Sequence, residues 1–170
     1  MRFDAKLSPA SRLSVLLPRL LATGACLLAL GCASPPSPGP GAGAARLTAG
    51  QSNDAAIHAL GLVGTPYRYG GNTPEGGFDC SGLIAYVYRH SGSQATPRTV
   101  ARMAGVGQPV AVEAIRSGDL VLFGAATPSH AGIYVGEGRF VHAPSTGGEV
   151  RLDRLDGVYW SRQPVQVRRL

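Results

Sequence analysis

The chain has 170 residues, enough for one domain with a sizeable core. Its formal charge of +6 is concentrated early: four basic residues and one acid precede residue 20, leaving 12 basic residues against 9 acids over positions 32–170. Those later arginines are dispersed, which excludes a nucleic-acid footprint, and the composition is that of a globular protein apart from 24 Gly and 13 Pro.

A basic stretch ends at Arg19, and an apolar run of eleven residues, Leu20 to Leu30, follows it. Such a run is too short for a stable membrane anchor and suits the apolar region of an export signal. Gly31-Cys32-Ala33 comes next and resembles the lipobox of bacterial lipoproteins. The expectation is a signal peptide over 1–31, a lipid on Cys32 and a membrane-anchored protein facing the periplasm. By the same resemblance, Ala33 in place of Asp implies the outer membrane in a Gram-negative host. Ordinary signal cleavage, with Cys32 lost or left free, is the competing reading. Residues 32–50 are rich in Pro, Gly and Ala with one charge, Arg46, and read as a tether.

The folded domain is placed at 51–170. Ser52-Asn53-Asp54 offers N-caps for a helix with Ile57, Leu60 and Val63 on one face, closed by Gly61 and Gly64. After a loop carrying Tyr67, Gly-rich sequence leads to Phe78-Asp79-Cys80-Ser81-Gly82 and an apolar run. The pattern predicts a helix from Cys80 to about His90 with Asp79 as its N-cap, stopped by Ser91-Gly92. Thr96 to Thr99 opens a further short helix. Strands are then expected at 110–112, 120–123, 131–135, 139–143, 149–152 and 165–167, with Tyr159-Trp160 as an aromatic plug near a turn. Helices first and antiparallel strands after make an α+β fold.

Of three cysteines, Cys26 lies in the signal and Cys32 would carry the lipid, so Cys80 remains alone in the mature chain. A lone thiol in an oxidising compartment cannot form an intramolecular disulfide. At a helix N-terminus its thiolate is favoured by the helix dipole, which is a nucleophile's setting. A base is then needed. His58 reads as a surface residue and His90 as a cation suiting a helix end. His130 opens a strand, and His142 lies on the strand after it. With a three-residue loop over 136–138, Val135 faces Arg139, His142 faces Gly132, and His130 is its diagonal neighbour on the same side. A two-residue loop would put the two rings on opposite faces.

Tyr67-Arg68-Tyr69-Gly70-Gly71, Phe78-Asp79-Cys80-Ser81-Gly82-Leu83, Gly118-Asp119-Leu120-Val121-Leu122-Phe123, His130 to Gly136 and Phe140-Val141-His142-Ala143 resemble successive motifs of the NlpC/P60 family of cell-wall peptidases. The resemblance runs from about residue 55 to the end. It implies a reduced papain-like fold, with helices packed on a small antiparallel sheet, and hydrolysis of peptidoglycan stem peptides between γ-D-glutamyl and a diamino acid. It implies Cys80 as nucleophile, His130 as base and His142 as the group that orients His130. Tyr67 would donate to the oxyanion beside the backbone N–H of Cys80, and Asp79 and Ser81 would help bind the peptide. A Cys80–His130 ion pair would hold the thiolate at neutral pH. No cofactor or metal is implied, and the partners are stem peptides and, through Cys32, a membrane, with the protein a monomer. Two departures stand out: one extra residue between Tyr67 and Cys80, in Gly76-Gly77, and Met103 near a position where relatives carry glutamine.

Three rival readings compete. Cys80, His130 and His142 are zinc-ligand types, although no fourth ligand is evident. A non-catalytic wall-binding lipoprotein would keep the fold without the reaction. An amidase or acyltransferase would share the Cys/His chemistry with another substrate.

Overall fold

The computed structural model of the chain describes residues 46–92, 96–145 and 148–170. The expectations for the signal, for Cys32 and for the tether up to residue 45 lie outside the described residues.

The first helix, α1, runs Ala49–Gly61 and begins earlier than the sequence suggested. Thr48, not the Ser52-Asn53-Asp54 group, is the N-cap: its hydroxyl accepts from the Gln51 N–H while the Gln51 side chain accepts from the Thr48 N–H. This reciprocal box satisfies two otherwise orphaned donors, so the helix starts there. The buried face is also different. Ala55, Ala56 and Ala59 point inward, whereas Ile57, Leu60 and Val63 are exposed.

A short hairpin follows, of β1 (Asn72–Thr73) and β2 (Gly77–Phe78). Helix α2, Cys80–His90, has the predicted limits and buries Leu83, Ile84, Val87 and Tyr88 against α1 and the sheet. After the single turn α3 (Val100–Met103) come β3 (Gln108–Val110), β4 (Leu120–Phe123), β5 (His130–Gly136), β6 (Arg139–His142), β7 (Arg151–Arg154) and β8 (Val165–Arg169). They form one antiparallel sheet in the order β3-β8-β4-β5-β6-β7. The fold is α+β, as expected.

The sheet separates two apolar clusters. Leu120, Leu122, Ala131, Ile133 and Val141 face the helices, and Val121, Phe123, Tyr134, Phe140, Trp160 and Val167 pack together on the other side. Asp119, almost wholly buried, is paired: it accepts from both Arg169 Nε and Nη2 and from the Arg116 N–H. A buried carboxylate without such partners would be costly.

The β5–β6 hairpin reaches the expected register by another route. Gly132 pairs with His142 and Tyr134 with Phe140, but Gly136, not Val135, pairs with Arg139. The connection is two residues long, Glu137 and Gly138, both at positive φ (53° and 71°), as a tight hairpin turn of this kind requires. A bulge between Tyr134 and Gly136 adds the residue that the shorter loop removes. The parity is restored, and both histidines stay on one face.

Candidate active site

Cys80 is the first residue of α2 and Asp79 its N-cap. One carboxylate oxygen of Asp79 accepts from the Gly82 N–H (2.6 Å) and the Ser81 hydroxyl (2.8 Å), and the other accepts from the Gly70 N–H (2.9 Å). Arg98 stands 3.8 Å from that second oxygen. The Asp79 N–H in turn donates to the Gly71 carbonyl, so the Gly70-Gly71 loop lies flat on the helix start. A Cβ on Gly82 would run into that same carbonyl, which is why glycine stands third in the helix. Asp79 and Ser81, both expected to touch substrate, therefore have local partners, and Ser81 is buried.

Between Tyr67 and Cys80 the chain forms the β1–β2 hairpin, with Gly77 at φ 82°. Tyr67 is tied beside the nucleophile loop: it bridges to Phe78, and Arg68 N–H donates to the Phe78 carbonyl at 2.9 Å. Its phenol pKa is raised by burial and then by the proximity of Cys80 and Asp79. Met103, the other departure, is fully buried in the helix-side core.

The backbone N–H groups of Ser81, Ala131 and Cys80 itself lower the thiol pKa and so favour thiolate. Burial first, and then the Asp79 carboxylate, outweigh them and push the thiol above its ordinary range. Cys80 packs against the helix-side core that contains Ala131, the residue after His130 on β5.

His130 Nε2 lies 2.8 Å from His142 Nδ1, with the rings nearly perpendicular. His142 is fully buried, and its Nε2 is 3.0 Å from an Asp153 carboxylate oxygen. Burial lowers the His130 pKa to about 3, helped by His142 and Arg151 and opposed by Asp153. Burial likewise lowers His142 to about 4, against the hydrogen bond and charge of Asp153. Burial thus disfavours the charged form of all three groups, pushing the thiol up and both imidazoles down.

Asp153 and Trp160 were not among the predicted site residues. The indole N–H of Trp160 donates to Asp153 (2.8 Å), and its ring stacks on His130 at 5.3 Å with 24° between planes. An open cavity of about 730 Å³ adjoins this side, lined by Ser129, His130, Arg151, Asp153, Tyr159 and Trp160 among others. His58 and His90 cluster with Tyr86 in tilted and edge-on contacts, and His90 Nδ1 is 2.8 Å from the Tyr86 carbonyl oxygen. Among the described residues, no three His, Cys, Asp or Glu side chains converge as a metal cage requires.

The match to the NlpC/P60 family model covers residues 64–169, well over half of the chain. The chain belongs to the NlpC/P60 family. Among relatives, the murein DD-endopeptidase MepH of Escherichia coli K12 is 41% identical over 113 residues, 64% of this chain and 42% of the relative. The gamma-DL-glutamyl hydrolase of Bacillus subtilis 168 is 41% identical over 110 residues, 63% of this chain and 26% of the relative. This chain thus spans less than half the length of either. The solved structure of NlpC2 from Trichomonas vaginalis superposes with a TM-score of 0.64 at 29% identity, covering 72% of this chain and 48% of that one. The NlpC/P60 match begins at Gly64, between α1 and Tyr67, and takes in every residue placed above around Cys80.

Proposed function

We propose that this NlpC/P60 chain is a peptidoglycan endopeptidase that hydrolyses stem peptides, at the bond between γ-D-glutamyl and a diamino acid, with Cys80 as nucleophile. One observation carries the reading: Cys80 opens α2 and packs against the core cluster that contains Ala131, the residue next to a histidine that is itself bonded to a second histidine. Two relatives, a murein DD-endopeptidase and a gamma-DL-glutamyl hydrolase, support the substrate class.

We take both groups as neutral at rest, the form that burial favours for each. His130 takes the thiol proton as Sγ bonds to the carbonyl carbon, so thiolate forms only during attack. The carbonyl oxygen gains the charge and is met by the Tyr67 hydroxyl and the Cys80 N–H. The C–N bond then breaks, and the imidazolium of His130 gives its proton to the leaving amine. A water molecule deprotonated by His130 hydrolyses the thioester, and Sγ regains a proton. His142 holds the His130 ring throughout. Asp79 and Ser81 shape the peptide side of the cleft through the loop they brace. The scheme uses no metal or cofactor. Its setting is extracytoplasmic, with a lipid on Cys32 holding a monomer at the membrane.

The test is digestion of purified muropeptides with the full chain, read by mass spectrometry. Cleavage at the γ-D-glutamyl bond is expected, with none in Cys80→Ala. Cleavage confined to the D,D cross-bridge would move the bond while keeping the mechanism. Intact muropeptides alongside co-sedimentation with peptidoglycan would replace the enzyme by a binding module.

A further inference from the structure

Asp153 collects donors to an unusual degree. A single carboxylate oxygen accepts from His142 Nε2 (3.0 Å), Trp160 Nε1 (2.8 Å), Arg151 Nη2 (3.0 Å) and Arg151 Nε (3.2 Å). Burial alone would raise the Asp153 pKa, but the hydrogen bonds from Trp160, His142 and Arg151 hold it below the usual carboxylate range. The group is therefore an anion, and an anion has no proton to give.

That fact fixes every proton up the chain. Facing a carboxylate, His142 Nε2 must carry the hydrogen. A neutral His142 then has a bare Nδ1, which accepts from His130 Nε2 at 2.8 Å. A neutral His130 with hydrogen on Nε2 has its lone pair on Nδ1, the one ring nitrogen left for the Cys80 thiol. The reverse arrangement would aim the His142 Nε2 lone pair at the carboxylate, setting two acceptors against each other.

We propose that Asp153 is a positioning residue of the site: by holding the His142 hydrogen on Nε2 it keeps the His130 lone pair on the nitrogen that serves Cys80. Trp160 fixes both ends of this chain, since it donates to Asp153, stacks on His130 and stands edge-on to His142 at 5.0 Å. Asp153 reaches the pair because β6 and β7 align Phe140 with Asp153 and His142 with Arg151, which puts all four side chains on the face that holds Trp160. Once His130 has taken the thiol proton, the same chain of donors places the carboxylate's charge behind the imidazolium. This role rests on the hydrolase reading, but the tautomers can be measured without any turnover.

The experiment is imidazole ¹⁵N NMR of the full chain near neutral pH, with turnover of a muropeptide measured in parallel. In the wild type both rings should be protonated on Nε2 and bare on Nδ1. Asp153→Asn should give mixed tautomers and lower kcat by at least about 10-fold with KM little changed, as when a triad's carboxylate is neutralised. Asp156→Asn, which removes a neighbouring exposed carboxylate that pairs with Arg154, should retain the wild-type tautomers and a kcat within a few-fold. Wild-type His142 protonated on Nδ1 would overturn the proposal even if Asp153→Asn failed to fold. So would Asp153→Asn with unchanged tautomers and kcat. A wild-type chain inert on every muropeptide would defeat the hydrolase reading alone, leaving the tautomers to decide the role of Asp153.

Discussion

Two carboxylates flank the site, and they are built differently. Asp79 bonds to Gly70, Ser81 and Gly82, all within nine residues of itself, and three of its bonds go to loop and helix positions that its own backbone region brings close. Asp153 bonds to Trp160 and Arg151 nearby but also to His142 on a neighbouring strand, and through it to His130. One carboxylate shapes the backbone that presents the nucleophile. The other sets the chemistry of side chains brought together by the sheet. The nucleophile side of an NlpC/P60 site is thus a local construction, and the base side is a product of strand register.

The largest test of that contrast lies on the nucleophile side. Tyr67→Phe keeps the ring and removes the one donor that the oxyanion reading gives to a side chain. It should lower kcat by about 10²–10³ with KM and thermal stability little changed. An unchanged kcat would remove Tyr67 from the oxyanion site, and its backbone bridge to Phe78 would then be its whole contribution.

A smaller effect separates the two jobs of Asp79. Asparagine keeps the oxygen that caps the Gly82 N–H but sets an amide NH2 against the Gly70 N–H, so Asp79→Asn should cost about 1 kcal/mol of stability. The carboxylate is also the second cause, after burial, of the raised thiol. Removing its charge should therefore move Cys80 ionisation to lower pH. Chemical unfolding and the pH dependence of thiol alkylation measure the two effects separately. A shift to higher pH would mean the Asp79 charge does not act on the sulfur.

The same contrast explains what the sequence made legible. The limits of α2 were readable because Asp79 and Ser91-Gly92 act within a few residues of the helix they bound. The pairing of His142 with Gly132 was readable from arithmetic across one hairpin, although a bulge and a two-residue turn replaced the assumed three-residue loop. The start of α1 was missed because the Thr48–Gln51 box sits inside a stretch whose composition reads as a tether. Asp153 was missed because the last-but-one strand was expected at 149–152 and is observed at Arg151–Arg154. One strand further of register arithmetic carries the signal: a partner for Phe140 on β7 is on the histidine face, and that partner is an acid. Trp160 was recognised as a plug, but its indole N–H bond to Asp153 depends on where β7 ends, which composition does not encode.

Backbone N–H groups at the start of α2 favour the Cys80 thiolate, while burial and Asp79 oppose it, and burial of the two imidazoles disfavours the cation that would pair with it. The measurement that tests this account most directly is the rate of Cys80 alkylation as a function of pH, followed by mass spectrometry of the peptide that contains it. A neutral resting pair predicts a single rise centred above the ordinary thiol value of about 8.5, with little reaction below neutrality. A plateau of fast alkylation from about pH 4 to 8 would show a preformed thiolate–imidazolium pair and contradict it.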